Sequence, residues 1–121
     1  MNDGGVSFSV KISFDPKATA DRIGAILHEA QKKLDIQIVK DCNYYVPLKT
    51  GTLQKSALIY TVPGSGQIVY RTPYAKRQYY GLHFDHSKQL NPNACAKWFE
   101  AAKARKEEDW RRLVEDEVKR G

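Results

Sequence analysis

Five prolines, Pro16, Pro47, Pro63, Pro73 and Pro92, limit every regular element this chain can form. Proline cannot donate to a helix or sheet ladder, and it drives the residue before it toward extended backbone. Asp15-Pro16 and Asn91-Pro92 have the form of helix starts, a side-chain cap followed by a proline in the first turn, where a missing N–H costs nothing. Pro47, Pro63 and Pro73 break up what lies between. The chain therefore divides into an N-terminal strand, a long helix, an interrupted middle from Tyr44 to Gly81 and a long final helix.

Val6, Phe8, Val10, Ile12 and Phe14 alternate with Ser7, Ser9, Lys11 and Ser13, the period of a half-buried strand. Ile23, Ile26, Leu27, Ala30, Leu34, Ile38 and Cys42 recur at three- and four-residue steps, which predicts an amphipathic helix from about Pro16 to about Tyr44, ended by Pro47. Thr50-Gly51-Thr52 is a turn in which Gly51 supplies a backbone angle other residues resist. Leu53 to Val62 reads as a strand with Leu58, Tyr60 and Val62 on one face. Pro63-Gly64-Ser65-Gly66 then forms a hairpin connection to a second strand at Ile68 to Tyr70. Tyr74 to Gly81 is a short helix or turn, and His83 to Leu90 is loop. The last helix spans about Pro92 to Lys119. Its apolar stripe breaks at Lys106, between Cys95, Phe99 and Ala102 on one side and Trp110, Leu113 and Val114 on the other. That break predicts that the second half projects and buries Trp110 against another subunit, with a frayed end or a folded-back Trp110 as the alternatives. The expected fold class is α+β, a small antiparallel sheet packed against the long N-terminal-half helix, with the second long helix at the C-terminus. At 121 residues, residues 1–121 are expected to form a single domain.

The net charge is +6, and its placement is uneven. Up to Cys42, six bases balance six acids. From Asn43 to Leu90, Lys49, Lys55, Arg71, Lys76, Arg77 and Lys88 face only Asp85. A field of this kind favours an anionic neighbour, either nucleic acid or an acidic protein surface, although ordinary solubility charge gives the same pattern. All seven tyrosines fall in this stretch: Tyr60 and Tyr70 are assigned to the core, Tyr79 and Tyr80 to the surface. No apolar run approaches a membrane span, and MNDGGVSFSV lacks the basic start and apolar stretch of a secretory signal. Cys42 and Cys95 are expected to be thiols on apolar helix faces.

Equipment for catalysis is sparse. His83, Asp85 and His86, with His28 or Cys95, lack the spacing of a metal site and read as a solvated loop. Lys49-Thr50-Gly51 matches one β-lactamase motif, but no serine is followed three residues later by lysine. No enzymatic activity and no cofactor are expected.

Three segments resemble one family. Val46-Pro47-Leu48-Lys49-Thr50-Gly51-Thr52-Leu53, the run Tyr70 to Gly81 (YRTPYAKRQYYG) and the stretch NPNACAKWFEAAKARKEEDW resemble, in that order, segments of the small minor capsid and head–tail joining proteins of tailed bacteriophages. A departure is Tyr79-Tyr80, where relatives often carry an acidic residue before the glycine. The resemblance implies a structural, ring-forming virion protein of a phage or prophage, acting at the neck or in tail completion. It would assemble in the host bacterial cytoplasm, beside other copies of itself and portal, connector or tail-tube proteins, with DNA in the lumen. On that reading, Pro47, Lys49, Thr50, Leu53, Arg71, Tyr74, Lys76, Arg77, Tyr79, Tyr80, Trp110, Leu113 and Val114 are partner-interface candidates. Pro47, Gly51 and Gly81 are expected to be fold determinants first. The alternative function is a small basic nucleic-acid-binding protein.

Overall fold

The computed structural model describes residues 4–13, 21–46, 51–81 and 95–120. Their elements are β1 (Val6–Ser9), α1 (Asp21–Asn43), α2 (Thr52–Tyr60), β2 (Gln67–Tyr70), α3 (Ala75–Tyr80) and α4 (Trp98–Arg120). This is the α+β fold expected from the sequence.

Leu34, Ile38, Val39 and Cys42 carry the buried stripe of α1, whereas Ile23 at its start is exposed. One hydrophobic cluster takes residues from every element, from Val6 on β1 to Trp98, Ala102 and Trp110 on α4. Apolar burial of this kind is the main force holding the elements together.

The middle of the chain departs from expectation. Residues 52–60 are helix, not strand, so Pro63 to Gly66 connects α2 to β2 and is not a hairpin turn. Leu53, Ser56 and Ala57 are the buried positions, a three- and four-residue step that outweighs the β-branched character of the Ile59 to Val62 end. Gly51 precedes the helix at φ 76°, the left-handed conformation anticipated for it. The strand β2 pairs instead with β1, antiparallel, with Val6 opposite Tyr70 and Phe8 opposite Ile68. Alternation continues past the ladder in burial, with Val10 and Ile12 packed on the core. Phe14 lies outside the described residues.

A two-stranded sheet leaves strand edges with unpaired amides. Along β2 and just past its end, α2 and its C-cap residue supply side-chain acceptors. Val69 N–H donates to Thr61 Oγ1 at 3.0 Å, and Arg71 N–H donates to Ser56 Oγ at 3.2 Å.

The connection between α2 and β2 is held by α1. Asp35 is fully buried, and its Oδ2 accepts from the amides of Gly64 at 2.8 Å and Gly66 at 3.0 Å. Its Oδ1 accepts from Gln31 Nε2, while Gln31 Oε1 accepts from Ile12 N–H, both at 2.8 Å. Two polar residues on an apolar stripe thus fasten both the β1 extension and the turn to α1. Gly66 sits at φ 74°, and a Cβ there would run into Lys11.

The described part of the last helix begins at Trp98, and Cys95 to Lys97 are not helical, so Cys95 is not on a helix face. The expectation that the second half projects is overturned. Trp110 is 7% exposed and its indole N–H donates to Asp41 Oδ2 at 2.7 Å, while Lys33 pairs with Glu117 at 2.8 Å. These links run antiparallel along α1 and hold α4 against it. The stripe breaks at Lys106 because the helices part there around a cleft of about 540 Å³, lined by Lys40, Asp41, Tyr44, Tyr45, Arg105 and Lys106. The lysine faces solvent at that level, and the apolar contact resumes one turn later.

Candidate assembly interface

Burying Leu53, Ser56 and Ala57 turns the opposite side of α2 outward. At 3.6 residues per turn that side carries Lys55, Leu58 and Ile59, and Val62 follows just beyond the helix end. Leu58 is 67% exposed, Ile59 71% and Val62 64%. Tyr60 follows the same exposed end, so its assignment to the core is corrected. The Arg71 guanidinium lies over its ring, 5.5 Å from the centroid. Exposed aliphatic side chains close in sequence make this end of α2 a candidate contact surface.

The helix α3 packs on β1. It has only six residues and buries Ala75 and Tyr79, one turn apart, which leaves Lys76, Arg77 and Tyr80 outside. Tyr79 is 2% exposed, not a surface residue: its ring packs 4.9 Å from Phe8 and 4.8 Å from Trp98. Tyr80 and Tyr74 are exposed as expected of a contact, and Tyr70 is fully buried as expected of the core.

The interface candidates therefore separate. Arg71, Tyr74, Lys76, Arg77 and Tyr80 are all exposed, and of these Arg71 stands beside Tyr60 at the end of α2. Leu53, Tyr79 and Trp110 belong to the core of the chain itself, and Leu113 and Val114 pack half-buried against it. Pro47, Lys49 and Thr50 lie outside the described residues, as do His83, Asp85 and His86. Sequence reasoning missed Leu58, Ile59 and Val62 as an outward face. The signal was present in the helical spacing of Leu53, Ser56 and Ala57.

The electrostatics of this unit are one-sided. Residues 51–81 contain Lys55, Arg71, Lys76 and Arg77 and no acidic residue. Three buried groups, Cys42, Tyr70 and Tyr79, are kept neutral. Burial pushes the Cys42 thiol and the Tyr70 phenol up, with Asp41 adding to the first and Cys42 to the second. Tyr79 is also pushed up, by burial first and then by the nearby Glu100 charge. At neutral pH none of the three offers an anionic nucleophile or base. No group of three or more His, Cys, Asp or Glu side chains gathers as a metal site among the described residues. No described helix is long and apolar enough to cross a membrane.

Fold and surface together define a small α+β protein with exposed aliphatic side chains at the end of α2, in a middle stretch that has cations and no acid. The chain belongs to the phage minor capsid family: the family described as minor capsid protein matches residues 10–117, which takes in all three segments of the sequence resemblance. It is accordingly a structural protein of the virion. No curated protein and no solved structure matches the chain.

Proposed function

We propose that this minor capsid protein is a ring-forming, non-enzymatic component of the neck, joining head to tail. The observation that carries this reading is the outward set of Leu58, Ile59 and Val62, in a stretch, residues 51–81, that also exposes Tyr74 and Tyr80 and has four cations and no acid. An aliphatic surface on a stable core has no role in a free monomer and a direct one in a protein–protein joint. Family membership supports the structural role. Its partners are further copies of the chain and the neighbouring portal, connector or tail-tube proteins.

The test is particle-level. Virions made without this chain are expected to accumulate as separate full heads and free tails, and an electron-microscopy reconstruction of the complete particle is expected to place the chain as a ring at the neck. Normal tail attachment in its absence overturns the proposal.

A second reading rests on Tyr74 and Tyr80 standing exposed beside Lys76 and Arg77, the combination that stacks on bases and follows a phosphate backbone. It predicts duplex binding that weakens steeply with salt and falls when Arg71, Lys76 and Arg77 are neutralised. Absence of binding at low salt rejects it.

A further inference from the structure

The break in the α4 stripe gathers charge as well as parting the helices. The cleft of about 540 Å³ that opens there takes Lys40 from α1 and Arg105 and Lys106 from α4, with Asp41, Tyr44 and Tyr45 completing its lining. Three cations thus surround it with one carboxylate, a net +2. Both oxygens of that carboxylate are committed to neutral donors within the fold. Asp41 Oδ1 accepts from Gln37 Nε2 at 3.1 Å, and Oδ2 accepts from the Trp110 indole at 2.7 Å. Among the described residues, Lys40 and Arg105 have no ion-pair partner. Lys106 only approaches Asp109, at 3.9 Å on an exposed surface, where such a pair contributes little.

The acids that follow on α4 do not line the cleft. Glu107 lines the separate groove that Val10 and Ile12 border, and Lys103 pairs with it at 3.8 Å. Asp109 shares a third hollow with Arg112 and Asp116. Glu108 is exposed and lines none of the three. The C-terminal carbonyls of a helix also repel anions when left open. Here the Cys42 and Asn43 carbonyls accept from the Tyr45 and Val46 amides at 2.9 and 3.3 Å, and the Tyr45 carbonyl accepts from the Cys95 amide at 3.0 Å. What remains uncompensated in the cleft is positive.

We infer that this cleft binds a nucleotide, its phosphate held among Lys40, Arg105 and Lys106 and its base laid against Tyr44. A phosphate monoester carries about −1.5 to −2 at neutral pH, which matches the charge of the lining; a single carboxylate would neutralise only half of it. Lysine and arginine N–H groups are the natural donors to phosphate oxygens. Tyr44 is 57% exposed, and an aromatic wall beside a cationic one suits a ligand with a flat π-face next to its charge. The cleft is also of the size that small-ligand pockets have. The nucleotide is either free or part of a strand, and the experiment separates these sources. The site depends neither on the ring-forming reading nor on Tyr74, Lys76, Arg77 and Tyr80, the residues of the duplex-binding alternative.

The test is calorimetric titration at low salt with deoxyadenosine monophosphate, inorganic phosphate and a hexaglutamate peptide, together with anisotropy of a fluorescent oligothymidylate. Saturable binding of one deoxyadenosine monophosphate per chain is expected. Lys40→Gln and Arg105→Gln, at exposed positions with no ion pair to lose, are each expected to weaken it about tenfold, the effect of removing one charge-assisted hydrogen bond. Tyr44→Ala is expected to weaken the nucleotide about fivefold and to leave inorganic phosphate unchanged, since only the nucleotide has a base to stack. Lys76→Gln, on α3, is expected to change nothing. Thermal melts check that each variant is folded. Oligothymidylate binding that falls with the same variants assigns the site to a strand; nucleotide binding without it assigns the site to a free nucleotide. No binding at millimolar nucleotide overturns the inference. So does binding that neither Lys40→Gln nor Arg105→Gln weakens, or that Lys76→Gln weakens as much, which would move the ligand to α3. An equal loss of phosphate and nucleotide in Tyr44→Ala removes the base from the site and also overturns it. Tighter binding of hexaglutamate than of nucleotide assigns the cleft to an acidic protein segment instead.

Discussion

Asp35 shows how one side chain can decide a local structure. It sits among apolar neighbours on α1, yet its carboxylate is the acceptor for two turn amides and one Gln31 donor. Replacing it leaves buried N–H groups without partners, and each such loss costs on the order of 1–3 kcal/mol. Asp35→Ala is expected to lower the unfolding free energy by about 3 kcal/mol in urea titration. Asp35→Asn, which retains an acceptor, is expected to lower it by less. Cys42 and Tyr70 give a second residue-level prediction. Their folded forms hold their protons more tightly than the ordinary values of 9.0 and 10.0. The unfolded chain therefore binds fewer protons at high pH, so stability is fully present below pH 9 and falls as pH rises through 9 and then 10. The slope is up to about 1.4 kcal/mol per pH unit for each group. Urea midpoints measured from pH 8 to 11 are expected to fall less steeply for Cys42→Ala and, above pH 10, for Tyr70→Phe.

At the scale of elements, α4 and α2 reversed what their sequences suggested, for different reasons. In α4 the lysine interrupting the stripe faces a cleft between helices, and the helix stays docked on both sides of it. If α4 projected, Trp110 substitutions would leave the monomer unaffected. Docked as it is, Trp110→Ala is expected to cost about 3–5 kcal/mol, as truncation of a buried aromatic does. Trp110→Phe, which mainly loses the bond to the Asp41 carboxylate, is expected to cost about 1–2 kcal/mol. Thermal melts of the isolated chain distinguish the two cases. In α2, Ile59 to Val62 invites a strand, but Leu53, Ser56 and Ala57 have a helical buried period, and Ser56 with Thr61 then serves the β2 edge. The neighbouring strand in the sheet comes from the N-terminus instead, about sixty residues away in sequence. Local pattern cannot report a pairing at that distance.

At the scale of the molecule, the exposed aliphatic end of α2 is a product of this rearrangement. With 53–62 as a strand, Leu58, Tyr60 and Val62 would have shared an inward face. As a helix, 52–60 sends Leu58 and Ile59 outward, Val62 is exposed just past its end, and the same stretch holds the cations that the sequence had already placed in the middle of the chain. Much could be read from residues alone: the alternation of β1, the stripe of α1, the angle at Gly51, the α+β class, the concentration of positive charge and the three family segments. These are local properties, set by side-chain period, backbone sterics and composition. The tertiary structure alone decided which strand pairs with β2, that Tyr79 and Trp110 are core while Tyr60 is not, and that Leu58 and Ile59 face outward. Those outcomes depend on which distant surfaces meet, because burial of apolar area is non-directional and is settled only when the whole chain has packed.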